Sequence, residues 1–144
     1  FYDEYTVNTA KNYRPQMVHS VFHCEEGVLS ESFHLLYEVF SEVMPEWNDE
    51  NYKLSRIKAN MNFQHNNKSL LWHKDTAQPG VSYLYYIHDS DGPTYFKTGL
   101  FPQKVHPKIG RLVKSDTSVV HSGSVPKKFK VRRVINFLFE KNLD

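Results

Sequence analysis

The chain has 144 residues, 40% of them hydrophobic and 15% aromatic, with a formal net charge of +2. That length suits one domain with a sizeable core, and the aromatic content excludes a disordered chain. The charge is too mild to argue for nucleic acid, the single cysteine excludes an intrachain disulfide or a thiolate cluster, and no apolar run reaches the ~18 residues of a membrane span.

In chain order, residues 16–22 alternate loosely and predict a strand. Ser30 is then the N-cap of a helix with Glu31 in its first turn. Phe33, Leu36, Tyr37, Phe40, Val43 and Met44 recur on one face at helical spacing, and Pro45 closes the stretch. This helix is expected to support a sheet from the core side. After Asn51 the pattern changes to short extended runs. Residues 52–63 form one or two strands, 66–68 a turn, 69–73 a short strand, 78–80 a turn, and 81–87 a Tyr-rich strand. A turn over 89–93 leads into 94–96, and later strands are expected over 110–114, 118–121 and 131–139. One helical segment followed by many short strands and Gly/Pro turns predicts a mainly β fold with flanking helices, a sandwich or barrel.

Chemistry concentrates in His73-Lys74-Asp75, answered downstream by His121. Two imidazoles and a carboxylate form the facial triad of non-haem Fe(II) sites, which leaves metal positions open. On a strand, His73 and Asp75 would share a face while Lys74 points away. With eight His in the chain, an H-x-D can arise by chance, so its surroundings matter. The stretch between Asp75 and His121 leaves room for about four short strands, enough to bring the chain back to the same end of a barrel. In the last strand, if Ile135, Phe137 and Phe139 face the helix layer, Arg132, Val134 and Asn136 face the interior. An interior Arg needs a buried anion, such as a ligand carboxylate. The alternative is that Arg132 and Arg133 are exposed edge charges that discourage aggregation. His19, His23, His34, His65, His88 and His106 lack an H-x-D partner and read as surface or core histidines. Lys127, Lys128 and Lys130 read as a solvated basic loop, with an anion contact as the alternative.

The ordered set resembles the 2-oxoglutarate/Fe(II)-dependent dioxygenases, especially their prolyl-4-hydroxylase-like branch. It comprises His73-Lys74-Asp75, Tyr83-Leu84-Tyr85-Tyr86, Asp91-Gly92-Pro93-Thr94-Tyr95-Phe96, Lys108-Ile109-Gly110-Arg111-Leu112-Val113, His121 and Arg132-Arg133-Val134-Ile135-Asn136. It spans residues 56–139. Asp91 stands where the family has the first Gly of a double-Gly turn, Tyr86 where it has Asn, and the family Pro appears at Pro107. The resemblance implies that residues 1–144 form a single oxygenase domain with a double-stranded β-helix, a jelly-roll or cupin-like barrel. It implies Fe(II) on His73, Asp75 and His121, and 2-oxoglutarate held at its far carboxylate by Arg132, with Arg133 as runner-up. Tyr83 and Tyr85 are cofactor-side candidates, with packing on a Tyr-rich strand as the alternative.

The implied activity is hydroxylation of an unactivated C–H using O2, with succinate and CO2 released and ascorbate as an accessory reductant. The substrate would be prolyl in a peptide or protein, or a small metabolite. Competing readings are a non-catalytic jelly-roll metal- or ligand-binding module, a cupin-type Zn or Mn enzyme and a nucleic-acid demethylase. The missing H-x-H weighs against the cupin, and the modest charge against nucleic acid. No membrane partner is expected. A reducing, cytoplasmic compartment fits the single cysteine. The chain opens on Phe1 without a signal-peptide pattern, so the natural N-terminus is expected upstream.

Overall fold

The computed structural model describes residues 15–66 and 70–143. Among these described residues nine strands dominate: β1 (Gln16–His23), β2 (Gly27–Val28), β3 (Tyr52–Phe63), β4 (Gly80–Tyr86), β5 (Thr94–Phe96), β6 (Gln103–Val105), β7 (Leu112–Asp116), β8 (His121–Gly123) and β9 (Val131–Lys141). They form two antiparallel sheets. The larger has the order β2-β1-β3-β9-β4-β7 and the smaller β6-β5-β8. The expected mainly β jelly roll is what the chain adopts, and four strands, β4 to β7, fill the interval between Asp75 and His121. No helix among the described residues is long and apolar enough to cross a membrane.

One helix, α1 (Ser32–Phe40), and a 3₁₀ turn (Pro45–Trp47) cover the outer face of the large sheet. Ser30 starts the helix as expected, but from one position further out. Its carbonyl accepts the Phe33 N–H and its hydroxyl the Ser32 N–H, while Glu31 occupies the cap without a side-chain bond. The helix ends at Phe40, short of the expected Met44. Pro45 disfavours a helical residue before it, and Met44 is extended accordingly. Met44 still enters the core completely, from a turn, while Val43 on the same expected stripe is exposed.

The core is the outer face of the large sheet. Val21, Ile57, Val81, Tyr83, Phe137 and Phe139 pack against Phe40 and Met44, with Trp47, Leu36 and Tyr85 at its edge. The period-2 alternation of β9 sends Phe137 and Phe139 outward and leaves Arg132, Val134 and Asn136 facing the space between the sheets. Gly80 admits no side chain, since a Cβ there would lie 2.1 Å from the Phe139 carbonyl oxygen. Residues 52–63 form a single strand, with a bulge between Leu54 and Arg56.

Three expectations are corrected. Among 69–73, residue 69 lies outside the described residues, and 70–73 form no strand but one bridge at His73. The strand expected over 118–121 begins at His121 instead, because a turn closes through Val119 N–H to the Asp116 carbonyl. The region 110–114 is shifted to Leu112–Asp116. β2 and β6 were not anticipated; two or three residues are too few to show a period. The turn expected at 66–68 falls mostly outside the described residues.

Beneath the helix layer a polar link ties the 3₁₀ turn to the sheet. Tyr83 Oη donates to Glu46 Oε2 at 2.7 Å, and Lys114 Nζ donates to Oε1 at 2.7 Å. Burial alone would raise the Glu46 carboxyl, but these two donors outweigh it and hold its pKa below the ordinary 4.5. Burial and the neighbouring Glu46 push the Tyr83 phenol up to about 12. A carboxylate with a lowered folded-state pKa stabilises above its ordinary pKa, and that contribution disappears as pH falls through the lowered value. Glu46→Gln is therefore expected to destabilise the fold by about 1–2 kcal/mol at neutral pH. In denaturant titrations the gap to wild type should close in acid.

Candidate metal centre and cavity

The two candidate histidines are brought together by backbone. The His73 N–H donates to the His121 carbonyl at 3.0 Å, and the His121 N–H donates back to the His73 carbonyl at 2.9 Å. Residues that exchange both bonds stand directly opposite each other. The imidazoles accordingly lie side by side, ring centroids 4.6 Å apart. Each Nδ1 lies near the carbonyl two residues back, Leu71 O at 3.0 Å and Val119 O at 3.2 Å. A carbonyl only accepts, so Nδ1 carries the proton and each Nε2 presents a lone pair.

Asp75 is held by side chains of the larger sheet. Ser82 of β4 donates to its Oδ2 at 2.9 Å, and Asn136 of β9 at 3.2 Å. Arg56 Nη2 stands 3.7 Å from Oδ1. The His73–Asp75 spacing was expected to come from strand alternation. Instead His73 sits on a bridge and Asp75 in the bend that follows. Asp75 Oδ2 lies 3.6 Å from His121 Nε2, and Oδ1 lies 3.9 Å from His73 Nε2. Both distances exceed a hydrogen bond, so electron pairs face electron pairs with no proton between them. A cation placed among them relieves that arrangement. His73, Asp75 and His121 have ligand atoms within 4.8 Å of one another, the one such group found among the described residues. Burial acts to raise the Asp75 carboxyl, but His121, Ser82, Arg56 and Asn136 outweigh it and lower its pKa. Burial lowers the His121 pKa. Both shifts favour, at neutral pH, the forms that bind metal. The donor set therefore fits a first-row divalent ion such as Fe(II).

The triad opens on a cavity of about 520 Å³ between the sheets, lined by Leu84, Thr94, Val134, Asn136 and, away from the triad, Arg132. Arg132 is 4% exposed. Its Nε donates to the Gly92 carbonyl at 2.9 Å, Nη2 to Thr94 Oγ1 at 2.6 Å and Nη1 to Asn62 Oδ1 at 3.1 Å. Thr94 is in turn bonded to Tyr86 Oη at 2.7 Å, and the Tyr86 ring lies 5.7 Å from the guanidinium carbon. Burial pulls the Arg132 pKa below its ordinary value. Among the described residues no carboxylate forms a salt bridge with it.

Arg133 lies on the opposite side of β9, exposed, with Nε 3.3 Å from Met61 Sδ. The structure places Tyr83 and Tyr85 away from the cavity as well. Alternation along β4 sends them under α1, where Tyr85 packs on Phe40 at 5.0 Å. The tyrosine beside Arg132 is Tyr86, one residue on. Its signal in the sequence was its shared face with Ser82 and Leu84, which only a fixed register reveals. Ser82, Asn62 and Arg56 were not singled out either. Asp91, the departure from the double-Gly turn, acts locally, its carboxylate accepting the N–H groups of Lys127 and Lys128 at 2.9 and 2.7 Å. It thereby fastens the loop before β9 against the turn whose Gly92 carbonyl holds Arg132.

No family model matches this sequence, and no curated protein matches it. Solved structures share its fold. A 2OG-Fe(II) oxygenase family oxidoreductase from Burkholderia pseudomallei aligns with TM-score 0.72 and 14% identity, over 94% of this chain and 71% of that one. A prolyl hydroxylase from Trichoplax adhaerens, in complex with a hypoxia inducible factor oxygen degradation domain peptide fragment, gives 0.65 and 15%, over 88% and 63%. A Pseudomonas putida prolyl-4-hydroxylase gives 0.55 and 13%, over 96% and 79%. The chain thus has the jelly-roll fold found in the 2-oxoglutarate/Fe(II) oxygenases and prolyl hydroxylases.

Gly123 leaves room for the guanidinium: a Cβ there would come within 3.1 Å of Arg132 Nη1. Gly123→Ala is expected to crowd a buried, triply bonded group and cost about 1–3 kcal/mol in chemical denaturation.

Proposed function

We propose that this chain is an Fe(II)- and 2-oxoglutarate-dependent oxygenase that hydroxylates an unactivated C–H bond and releases succinate and CO2. One observation carries this reading. A single cavity has three metal-competent donors at one end and, elsewhere on its wall, a buried guanidinium that no carboxylate among the described residues bridges. The fold shared with 2OG-Fe(II) oxygenases supports it.

His73 Nε2, His121 Nε2 and an Asp75 carboxylate oxygen would hold the ferrous ion, which when bound supplies oxygen activation coupled to 2-oxo acid decarboxylation. Ser82 and Asn136 hold Oδ2 of Asp75 and so orient its carboxylate. Arg132 would receive the far carboxylate of 2-oxoglutarate, because a fully desolvated guanidinium gains most from a bidentate anion. Thr94, Asn62 and the Gly92 carbonyl keep that guanidinium from swinging away, and Tyr86 closes the wall beneath it. Leu84 and Val134 give the middle of the cavity an apolar surface that discourages water. Ascorbate fits as an accessory reductant and O2 as the second cosubstrate. Candidate substrates are a prolyl residue in a peptide or protein, as with the peptide-bound Trichoplax neighbour, and a small metabolite.

Two measurements test this. Iron-loaded protein is expected to form succinate from 2-oxoglutarate; no succinate with any peptide or metabolite, despite metal uptake, would point to a binding module instead. In calorimetry, His73→Ala and His121→Ala should abolish Co(II) binding. Asn136→Leu should weaken it about 10- to 100-fold. Arg132→Met should keep the metal and weaken 2-oxoglutarate by about 30-fold or more. Arg133→Met should change neither; a 2-oxoglutarate defect there would reassign the anion partner.

A further inference from the structure

With both histidines neutral, Asp75 carries the charge of the metal centre, and its two oxygens are held differently. Oδ2 accepts the Ser82 hydroxyl and the Asn136 amide. Oδ1 accepts no hydrogen bond among the described residues. Arg56 Nη2 faces it at 3.7 Å, so what joins the two is charge rather than a shared proton. The Asp75 side chain is 6% exposed and that of Arg56 26%.

Arg56 reaches this oxygen because β3 is irregular. Strict alternation would put Arg56 on the face of Leu54, which packs against the core under α1. Ile57, three residues from Leu54, belongs to that same core. The bulge between Leu54 and Arg56 resets the alternation. It keeps Leu54 and Ile57 on one side and turns Arg56 to the other, where Asp75 lines the cavity.

This placement matters most while the site is empty. A buried carboxylate without a cation is expensive, and neutral donors offset only part of that cost. Among the described residues Arg56 is the one Arg or Lys that bridges Asp75, and Asp75 the one acid that bridges Arg56. In the metal-free protein the guanidinium therefore serves as counter-ion. A divalent ion held by His73, Asp75 and His121 would take over that task, and the fixed positive charge beside Oδ1 would then repel it. One side chain thus stabilises the empty site and opposes the filled one.

We propose that Arg56 is a positioning residue acting through Asp75: it stands in for the metal in the empty site and so sets how tightly the centre holds a divalent ion. This rests on the metal-binding half of the oxygenase reading. Without Arg56 the empty state loses its counter-ion and the filled state loses a repulsion, so metal binding tightens as the metal-free protein weakens. The sign separates this role from a structural one, because a loosened β3 would weaken metal binding.

The test titrates purified protein with Co(II) in a calorimeter at neutral pH and melts the metal-free and Co(II)-loaded forms. Arg56→Met should bind Co(II) about tenfold tighter than wild type. It should melt lower than wild type without metal and lie closer to it once loaded. Arg56→Lys, which keeps the charge, should restore the wild-type affinity. Equal or weaker binding by Arg56→Met, or an equal tightening by Arg56→Lys, overturns the proposal. Should Arg56→Met fail to fold, the comparison moves to Asp75→Asn, which has no charge to balance. Adding Arg56→Met there should raise the melting temperature of the metal-free protein; an unchanged or lower one overturns the counter-ion role. A wild type that takes up no Co(II) overturns the metal centre, and with it both the oxygenase reading and this proposal.

Discussion

Two backbone hydrogen bonds, exchanged between His73 and His121, join a segment without strand structure of its own to the edge of β8. Everything proposed for the metal end of the cavity depends on that pair. It sets the imidazoles side by side, while Asp75, two residues on, is caught by Ser82 and Asn136 of the opposite sheet. The donor set therefore spans the gap between the sheets and would be lost if either sheet moved relative to the other. Backbone bonds suit this joint because they leave both Nε2 atoms uncommitted.

Arg132 presents the complementary constraint. A guanidinium excluded from water is expensive, and here three neutral acceptors bond it, with no acid bridging it among the described residues. Its surroundings keep the group in place: Gly123 yields space, Tyr86 lies against it, and the Asp91 turn supplies a carbonyl through Gly92. Under the proposed oxygenase reading, 2-oxoglutarate would supply the anion for this group.

The large sheet serves two purposes with opposite faces of the same strands. On β9, Phe137 and Phe139 anchor the core under α1, and Arg132, Val134 and Asn136 face the cavity. On β4, Tyr83 and Tyr85 belong to the core, and Ser82 and Leu84 to the cavity. A one-residue slip in either strand would exchange these roles, which ties the stability of the fold to the position of the site.

Much could be read from the residues in order. The H-x-D with its distant His, the alternation of β9 that turns Arg132 inward, and the room for four strands between Asp75 and His121 all follow from spacing and period. Those are local properties, carried by neighbours in the chain. The strand expected at His73, and Tyr83 and Tyr85 as cavity residues, went astray for a common reason: each depended on partners remote in sequence, the β8 edge and the register of β4 against β9. The helix drawn to Met44 went astray locally, because Pro45 disfavours a helical residue before it. Sequence by itself determined which side chains were available and roughly how they repeat. Only the tertiary structure decided which face of each strand met the cavity and which met α1, because cross-strand hydrogen bonds, not the chain's own period, fix register.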